Sequence, residues 1–221
     1  PNASTIRMDI DTVSKKNSHE EILNKFKNEN IDILIGTQMV VKGHHFPNVT
    51  LVGVIAADSS LYIEDYKASE RTFQILTQVA GRAGREKLPG RVIIQTYNPE
   101  NFAIECSKKQ DYDKFYETEI ELRKQLKYPP FCDIISIGLT DIDNNKIKNV
   151  SERLYKNIKN LIEKENTNIF IYKPLPCPID KIKNRYRWRI IIKGKLTNKL
   201  INVINKAIEI TNSKTTRIIV D

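Results

Sequence analysis

Ile31-Asp32-Ile33-Leu34-Ile35-Gly36-Thr37-Gln38-Met39-Val40-Val41-Lys42-Gly43 decides the fold. A short isoleucine-rich run stops at a glycine and passes into a loop closed by a second glycine. That is the pattern of a buried parallel strand whose carboxyl end carries a ligand loop. Upstream, Ile6 to Ile10 reads as a strand, and Ser18 with Glu21 three residues on makes a capping box for a helix to about Asn28. Downstream, Val49 to Ala57 makes a strand ending at Asp58, Tyr66 to Arg82 a helix, and Arg91 to Thr96 another strand. Short apolar strands alternating with helical patterns imply an α/β lobe with a parallel sheet.

Between Asn101 and Lys127 the pattern is helical, with Phe115, Ile120, Leu122 and Leu126 on one apolar stripe, until Tyr128-Pro129-Pro130 ends it. Beyond lies a strand over 131–140, a helix over 144–165 and a strand over 168–173. A proline-rich loop over 174–178, a strand over 186–193, a helix over 197–211 and a strand over 216–220 follow. The order β-α-β-β-α-β predicts a ferredoxin-like α+β sandwich, two helices on one face of a four-stranded antiparallel sheet. The expected organisation is a first lobe over 1–100, a helical connector over 101–127 and a second domain over 128–221.

The 221 residues leave room for two modest cores, and 40% hydrophobic content suits a globular chain. No apolar run reaches the roughly 18 residues of a membrane span. The start, Pro1-Asn2-Ala3-Ser4, has neither an initiator Met nor a signal-peptide pattern, so the expectation is a piece of a longer cytoplasmic protein. Cys106, Cys132 and Cys177 are odd in number and far apart, which predicts reduced, mostly buried thiols and no metal site. The net charge of +9 sits entirely in the second half: residues 1–127 carry 18 Lys and Arg against 18 Asp and Glu, and residues 128–221 carry 18 against 9. A genome-wide bias toward Lys would act on both halves alike, so a polyanionic partner for the second half is expected.

Two stretches carry the chemistry. Gln78-Val79-Ala80-Gly81-Arg82-Ala83-Gly84-Arg85 ends a predicted helix with two arginines three apart on one face, and its glycines let the backbone approach a ligand closely. The guanidinium is planar, permanently charged and bidentate, which suits a phosphate; the bland alternative is a solvated basic turn. In Gly36 to Pro47, Gly36 and Gly43 let backbone N–H groups face phosphates, Thr37 and Gln38 add neutral donors, and Lys42 adds a positive charge. Such a loop can touch both a DNA backbone and a nucleotide, although alone it also reads as an ordinary β-α connection. His44-His45 has no neighbouring Cys or carboxylate cluster to complete a metal site.

Taken together, these stretches resemble motifs V and VI of the superfamily-two helicases. The runs Asp32 to Met39, Lys42 to Val52, Tyr66 to Gln74 and Tyr128-Pro129-Pro130-Phe131 are similar to the primosomal replication-restart helicase family. The resemblance is close over about residues 1–131 and looser beyond, where element order and Arg187-Trp188-Arg189 carry it. It implies a RecA-like motor lobe and ATP-driven 3′-to-5′ unwinding of DNA forks and D-loops, followed by primosome assembly and loading of the replicative helicase. By position it makes Arg85 the arginine finger on the γ-phosphate, with Arg82 and Gln78 its neighbours. It places Lys42, Gly43 and Asp58 at the nucleotide, and Gly36, Thr37 and Gln38 at DNA. Neither a G-x-x-x-x-G-K-[ST] phosphate loop nor an Asp-Glu box occurs in the chain, so the groups that hold MgATP are expected upstream. The resemblance also implies zinc in an upstream cysteine-rich module, and the single-stranded-DNA-binding protein as a partner.

In the second half, Lys181, Lys183, Arg185, Arg187, Arg189, Lys193 and Lys195 interleave with Tyr186 and Trp188. On a strand, Arg185, Arg187 and Arg189 share one side, and Tyr186, Trp188 and Ile190 share the other. This predicts a basic face over an apolar core, and the face is either a DNA-backbone contact or a solvated surface. Two rival readings remain at this point. An RNA-binding module is disfavoured because no aromatic pair sits on one central strand. An RNA helicase or chromatin motor would share the arginine motif but not the stretch from Lys42 to Val52.

Overall fold

Thr5–Met8 (β1) lies parallel to Ile33–Gly36 (β2), and Leu51–Val54 (β3) lies parallel to Arg91–Ile94 (β4), in a computed structural model of the chain. It describes residues 3–9, 18–37, 40, 49–81, 90–164, 169–213 and 215–221. Two compact units divide the chain, Pro1–Glu119 and Ile120–Asp221.

In the first unit, helix Ser18–Asn28 (α1) stands between β1 and β2, with Glu20 and Glu21 in its first turn and Lys25 and Lys27 in its last. Those charges complement the helix dipole. The capping box expected on Ser18 rests on a side chain outside the described residues. Ser4 Oγ donates to the Asp32 carboxylate at 2.9 Å, and the Ser4 N–H donates to the same oxygen at 2.8 Å, pinning the start of β1 beside the entry to β2. The strand expected to run from Val49 to Ala57 instead stops at Val54. Ala56 adopts a left-handed conformation (φ 52°) and starts a 3-10 turn over Ala57–Ser60. Helix Ala68–Ala80 (α2) buries Ala68, Thr72, Phe73, Leu76 and Val79, which fall on one stripe at helical spacing.

The single helix expected over 101–127 is two helices, Phe102–Lys109 (α3) and Tyr112–Gln125 (α4). Gln110 takes a left-handed backbone (φ 54°) that closes α3, and the Asp111 carboxylate accepts from the Lys114 N–H at 3.0 Å to open α4. Phe73 and Phe115 stack with ring centroids 4.2 Å apart, and Ala103 and Cys106 complete that cluster.

The second unit realises the predicted ferredoxin-like sandwich. Its strands are Asp133–Asp141 (β5), Phe170–Ile171 (β6), Leu175–Ile182 (β7), Arg185–Gly194 (β8) and Arg217–Val220 (β9), paired antiparallel in the order β6-β8-β5-β9, with β7 also antiparallel to β8. Helices Asn144–Lys164 (α5) and Asn198–Thr211 (α6) cover one face. Ile147, Val150, Leu154, Ile158 and Ile162 of α5 meet Ile137, Leu139, Ile190 and Ile192 of the sheet. Each fully buried aliphatic chain here contributes about 1.5–3 kcal/mol of transfer free energy.

One strand is absent from the sequence reading: of residues 174–178, expected as a loop, 175–178 belong to β7. Pro176 and Pro178 fit there because β7 is an edge strand whose outer side needs no N–H donors. The β7–β8 connection is two residues, Lys183 and Asn184, with φ of 47° and 62°, the positive pair that a type I′ turn requires. Ends of the other elements differ from expectation by up to two residues. Cys106 is buried, but Cys132 and Cys177 are half-buried, because they lie on a loop and on the edge strand.

Candidate nucleotide and nucleic-acid interfaces

Among the described residues the first unit has two separate two-stranded parallel sheets rather than one, with Gly36 ending β2 of the first and Asp58 following β3 of the second, both at carboxyl ends of strands, where parallel sheets bind ligands. Gly36 closes β2 against β1. A β-carbon there would meet the Met8 carbonyl oxygen at 2.7 Å and overlap the Val40 side chain, so glycine is required by close approach. Thr37 is exposed next to it, and its carbonyl accepts from the Val40 N–H at 3.1 Å, turning the chain at once after the strand.

Asp58, only 3% exposed, is engaged by the protein itself. Its carboxylate accepts from Thr96 Oγ1 at 2.6 Å, the Tyr97 N–H at 2.9 Å and the Asn98 N–H at 3.3 Å. The Thr96 hydroxyl and then the Tyr97 N–H hold this carboxyl below the ordinary aspartate range, so it stays ionised. The residue thereby fastens the turn after β3 to the loop after β4. Sequence reasoning missed Thr96 and Tyr97 as its partners, because that pairing depends on β3 lying beside β4.

Gln78 is exposed on the last turn of α2. Gln38, Lys42, Gly43, Arg82 and Arg85 lie outside the described residues, and so does the arrangement expected of them.

In the second unit, β8 carries the predicted alternation. Ile190 and Ile192 are fully buried under the helices, Tyr186 and Trp188 pack partly into the same core, and Arg185, Arg187 and Arg189 face the other way. Trp188 Nε1–H donates to Asn144 Oδ1 at 3.1 Å, tying the strand to the start of α5. The arginines are half-buried and partly held. Arg185 donates to the Thr140 carbonyl at 3.1 Å, and Arg187 reaches the Ile179 carbonyl at 3.5 Å. Four residues of β7 bulge opposite Arg187, which brings that carbonyl within reach.

Lys193 continues the row but is nearly enclosed: its Nζ donates to the Leu126 carbonyl at 3.2 Å and lies 3.7 Å from the centroid of the Tyr128 ring. At the end of β5, burial pushes the Asp141 carboxyl up, yet hydrogen bonds from Thr216, the Asp143 N–H and Thr215 together hold it below the ordinary value. Burial also raises the Cys106 thiol, which keeps it protonated. Among the described residues no cluster of His, Cys, Asp or Glu could hold a metal ion, and no helix is long and apolar enough to cross a membrane.

A parallel α/β lobe followed by a basic ferredoxin-like sandwich is the arrangement of a helicase C-terminal half. Residues 5–87 match the helicase conserved C-terminal domain, and residues 124–221 match the primosomal protein N C-terminal domain. The chain is 42% identical over 209 residues to the replication restart protein PriA of Bacillus subtilis, covering 95% of this chain and 26% of that protein. It is 41% identical to that of Chlamydia trachomatis over 95% of this chain and 27% of the relative, and 36% identical to that of Borreliella burgdorferi over 96% and 32%. The chain belongs to the PriA family of replication restart proteins and matches a helicase C-terminal domain and the family's own C-terminal domain. It spans about a quarter to a third of the length of these curated relatives. The RNA-binding-module and RNA-helicase readings are not favoured by these matches.

Proposed function

We propose that this chain supplies the second motor lobe and the fork-holding domain of an ATP-dependent 3′-to-5′ DNA helicase that remodels stalled replication forks and starts primosome assembly. Residues 1–100 act as the motor lobe, 101–127 as a helical connector and 128–221 as the DNA-holding domain. The observation that supports this most is the pairing of a lobe of parallel strands, whose sequence carries the arginine motif, with a separate sheet that bears a row of half-buried arginines on its helix-free face.

In this reading Arg85 places its guanidinium against the charge that develops on the transferred phosphoryl group, with Arg82 and Gln78 beside it. Lys42 and Gly43 line the nucleotide, while Gly36, Thr37 and Gln38 contact the DNA backbone. Asp58 acts as a positioning residue, since its carboxylate is occupied by Thr96, Tyr97 and Asn98. The partner lobe in the rest of the protein holds MgATP, and this chain by itself does not hydrolyse it. Zinc belongs to a cysteine-rich module outside this chain. The single-stranded-DNA-binding protein, primosome proteins and the replicative helicase loader are the partners, in the cytoplasm.

The test is single-turnover hydrolysis and fork unwinding by the full-length protein. Arg85→Ala is expected to leave ATP binding nearly intact and slow hydrolysis by about 10³-fold or more. Hydrolysis within threefold of the parent protein removes Arg85 from that role. Robust DNA-stimulated turnover by this chain alone would overturn the division of labour between the lobes.

A further inference from the structure

The helix-free face of the ferredoxin-like sheet has a composition of its own. Register places Ser136, Gly138 and Thr140 of β5 at its centre, opposite Ile191, Arg189 and Arg187 of β8. A β-carbon built on Gly138 would meet nothing closer than the Ile219 carbonyl at 3.9 Å, so the middle of the face is a shallow, open floor. Arg217 borders it on β9, opposite Thr140, and Asp221, opposite Ser136, is an acidic residue that the same register puts at that margin.

On the other side two aromatics stand on or next to the edge strand β6. Phe170 pairs with Lys193, and the Tyr172 N–H donates to the Ile191 carbonyl, so both share the face of the arginine row. Each is 49% exposed. Cations flank them: Lys127 Nζ lies 4.5 Å from the Phe170 ring centroid, and Lys193 Nζ lies 5.7 Å from that of Tyr172. The aromatic pair missing from the central strands is therefore present one strand away.

We infer that this face binds an unpaired DNA strand, with Phe170 and Tyr172 stacking its bases, the arginines of β8 on its phosphates and Gly138 keeping the floor clear. The inference deepens the proposed function and rests on its assignment of DNA to this domain. Stacking on Phe170 and Tyr172 needs bases whose faces are free, which an unpaired strand offers and a duplex, with its bases stacked on one another, does not. Half-exposed rings beside lysines suit bases joined by phosphates, because every base has a π-face and every linkage a negative charge. An acidic peptide would satisfy the cations but has no need of a flat floor or of paired ring faces.

The experiment compares two fluorescent 12-mers of equal charge, oligothymidylate and an abasic strand, on the 221-residue chain by anisotropy. The chain is expected to bind the base-bearing strand roughly ten- to a hundredfold more tightly, the span of one or two stacked bases. Phe170→Ala with Tyr172→Ala should erase that preference and leave abasic binding unchanged. Gly138→Leu, whose side chain enters open space and so leaves the fold intact by circular dichroism, should weaken both strands at least tenfold.

An abasic strand bound as tightly as oligothymidylate, or a preference that survives the aromatic double variant, overturns the stacking assignment alone. A wild-type chain that binds neither strand at low salt overturns the DNA reading of the domain as well. Stoichiometric displacement of oligothymidylate by an acidic peptide that Gly138→Leu also excludes, bound more tightly than the strand, reassigns the face to a protein partner.

Discussion

Removal of the β8 arginine row tests the basic face most directly. Three guanidiniums sit at alternate positions, Arg185, Arg187 and Arg189, and the hydrogen bonds at 3.1 Å to Thr140 and 3.5 Å to Ile179 use one N–H each of Arg185 and Arg187. A guanidinium has five donors, so those two keep most of their capacity for phosphate. If each of the three neutralises one phosphate of a forked duplex, the triple alanine variant loses about 2.7 units from the log–log slope of affinity against salt. Over a fourfold rise in salt that amounts to about a 40-fold smaller loss of affinity than the parent suffers. The fold is expected to persist, because Ile190 and Ile192 on the opposite side are untouched and fully buried. Losing the two bonds to carbonyls on a half-exposed face costs on the order of 1 kcal/mol each. Fluorescence anisotropy on a fork at four salt concentrations measures the slope, after circular dichroism establishes that the variant is folded. A folded variant with an unchanged slope would show that the row is a solvated face, and the reasoning from charge and register would fail.

Three further outcomes follow from the geometry. Asp141 has its carboxyl held below its unfolded value, so its contribution is fully present above the unfolded pKa and is lost as pH falls through the folded one. Asp141→Asn should therefore destabilise the second unit at neutral pH by about 2 kcal/mol and flatten the fall of its stability as pH drops below the ordinary aspartate range, read by urea denaturation across pH; an unchanged acid slope refutes the role. Leu139→Ala empties a fully buried position of β5 and should cost about 2–5 kcal/mol in the same assay, and a loss under 1 kcal/mol would mean that the sandwich core is looser than its packing implies. Gly36→Ala sets a β-carbon 2.7 Å from the Met8 carbonyl and should lower the stability of the first unit by about 1–3 kcal/mol, with thermal unfolding as the measure and an unshifted transition as the contrary result.

Local pattern was sufficient wherever one physical rule set the outcome. The glycine-bounded isoleucine run gave the parallel strand β2, but not the burial expected of it, because Ile33 and Ile35 are 45% and 54% exposed and their cover cannot be read from a run this short. The stripe Ile147, Val150, Leu154, Ile158 placed α5 on its sheet, and alternation along 185–192 separated the arginines from Ile190 and Ile192. The break between α3 and α4 was also written locally, in Asp111 as a cap. It was overlooked because apolar residues on both sides keep a helical spacing.

Other features had no local signature. Pro176 and Pro178 read as loop residues, and only the position of β7 at the edge of β8, with no partner on its outer side among the described residues, allows them in a strand. Asp58 stood out as a lone acid after a strand, yet Thr96, Tyr97 and Asn98, which occupy its carboxylate, are some forty residues away and reach it because β4 lies beside β3. The aromatic side of the open face was likewise invisible from sequence. Phe170 and Tyr172 join the arginine row only through antiparallel pairing with β8, and Lys193 is enclosed only because Leu126 and Tyr128 fold back over it. Amino-acid order determined which residues face the core, since period and polarity act within a few residues. Tertiary structure alone decided which distant side chains meet, since strand pairing joins segments that no short-range rule relates.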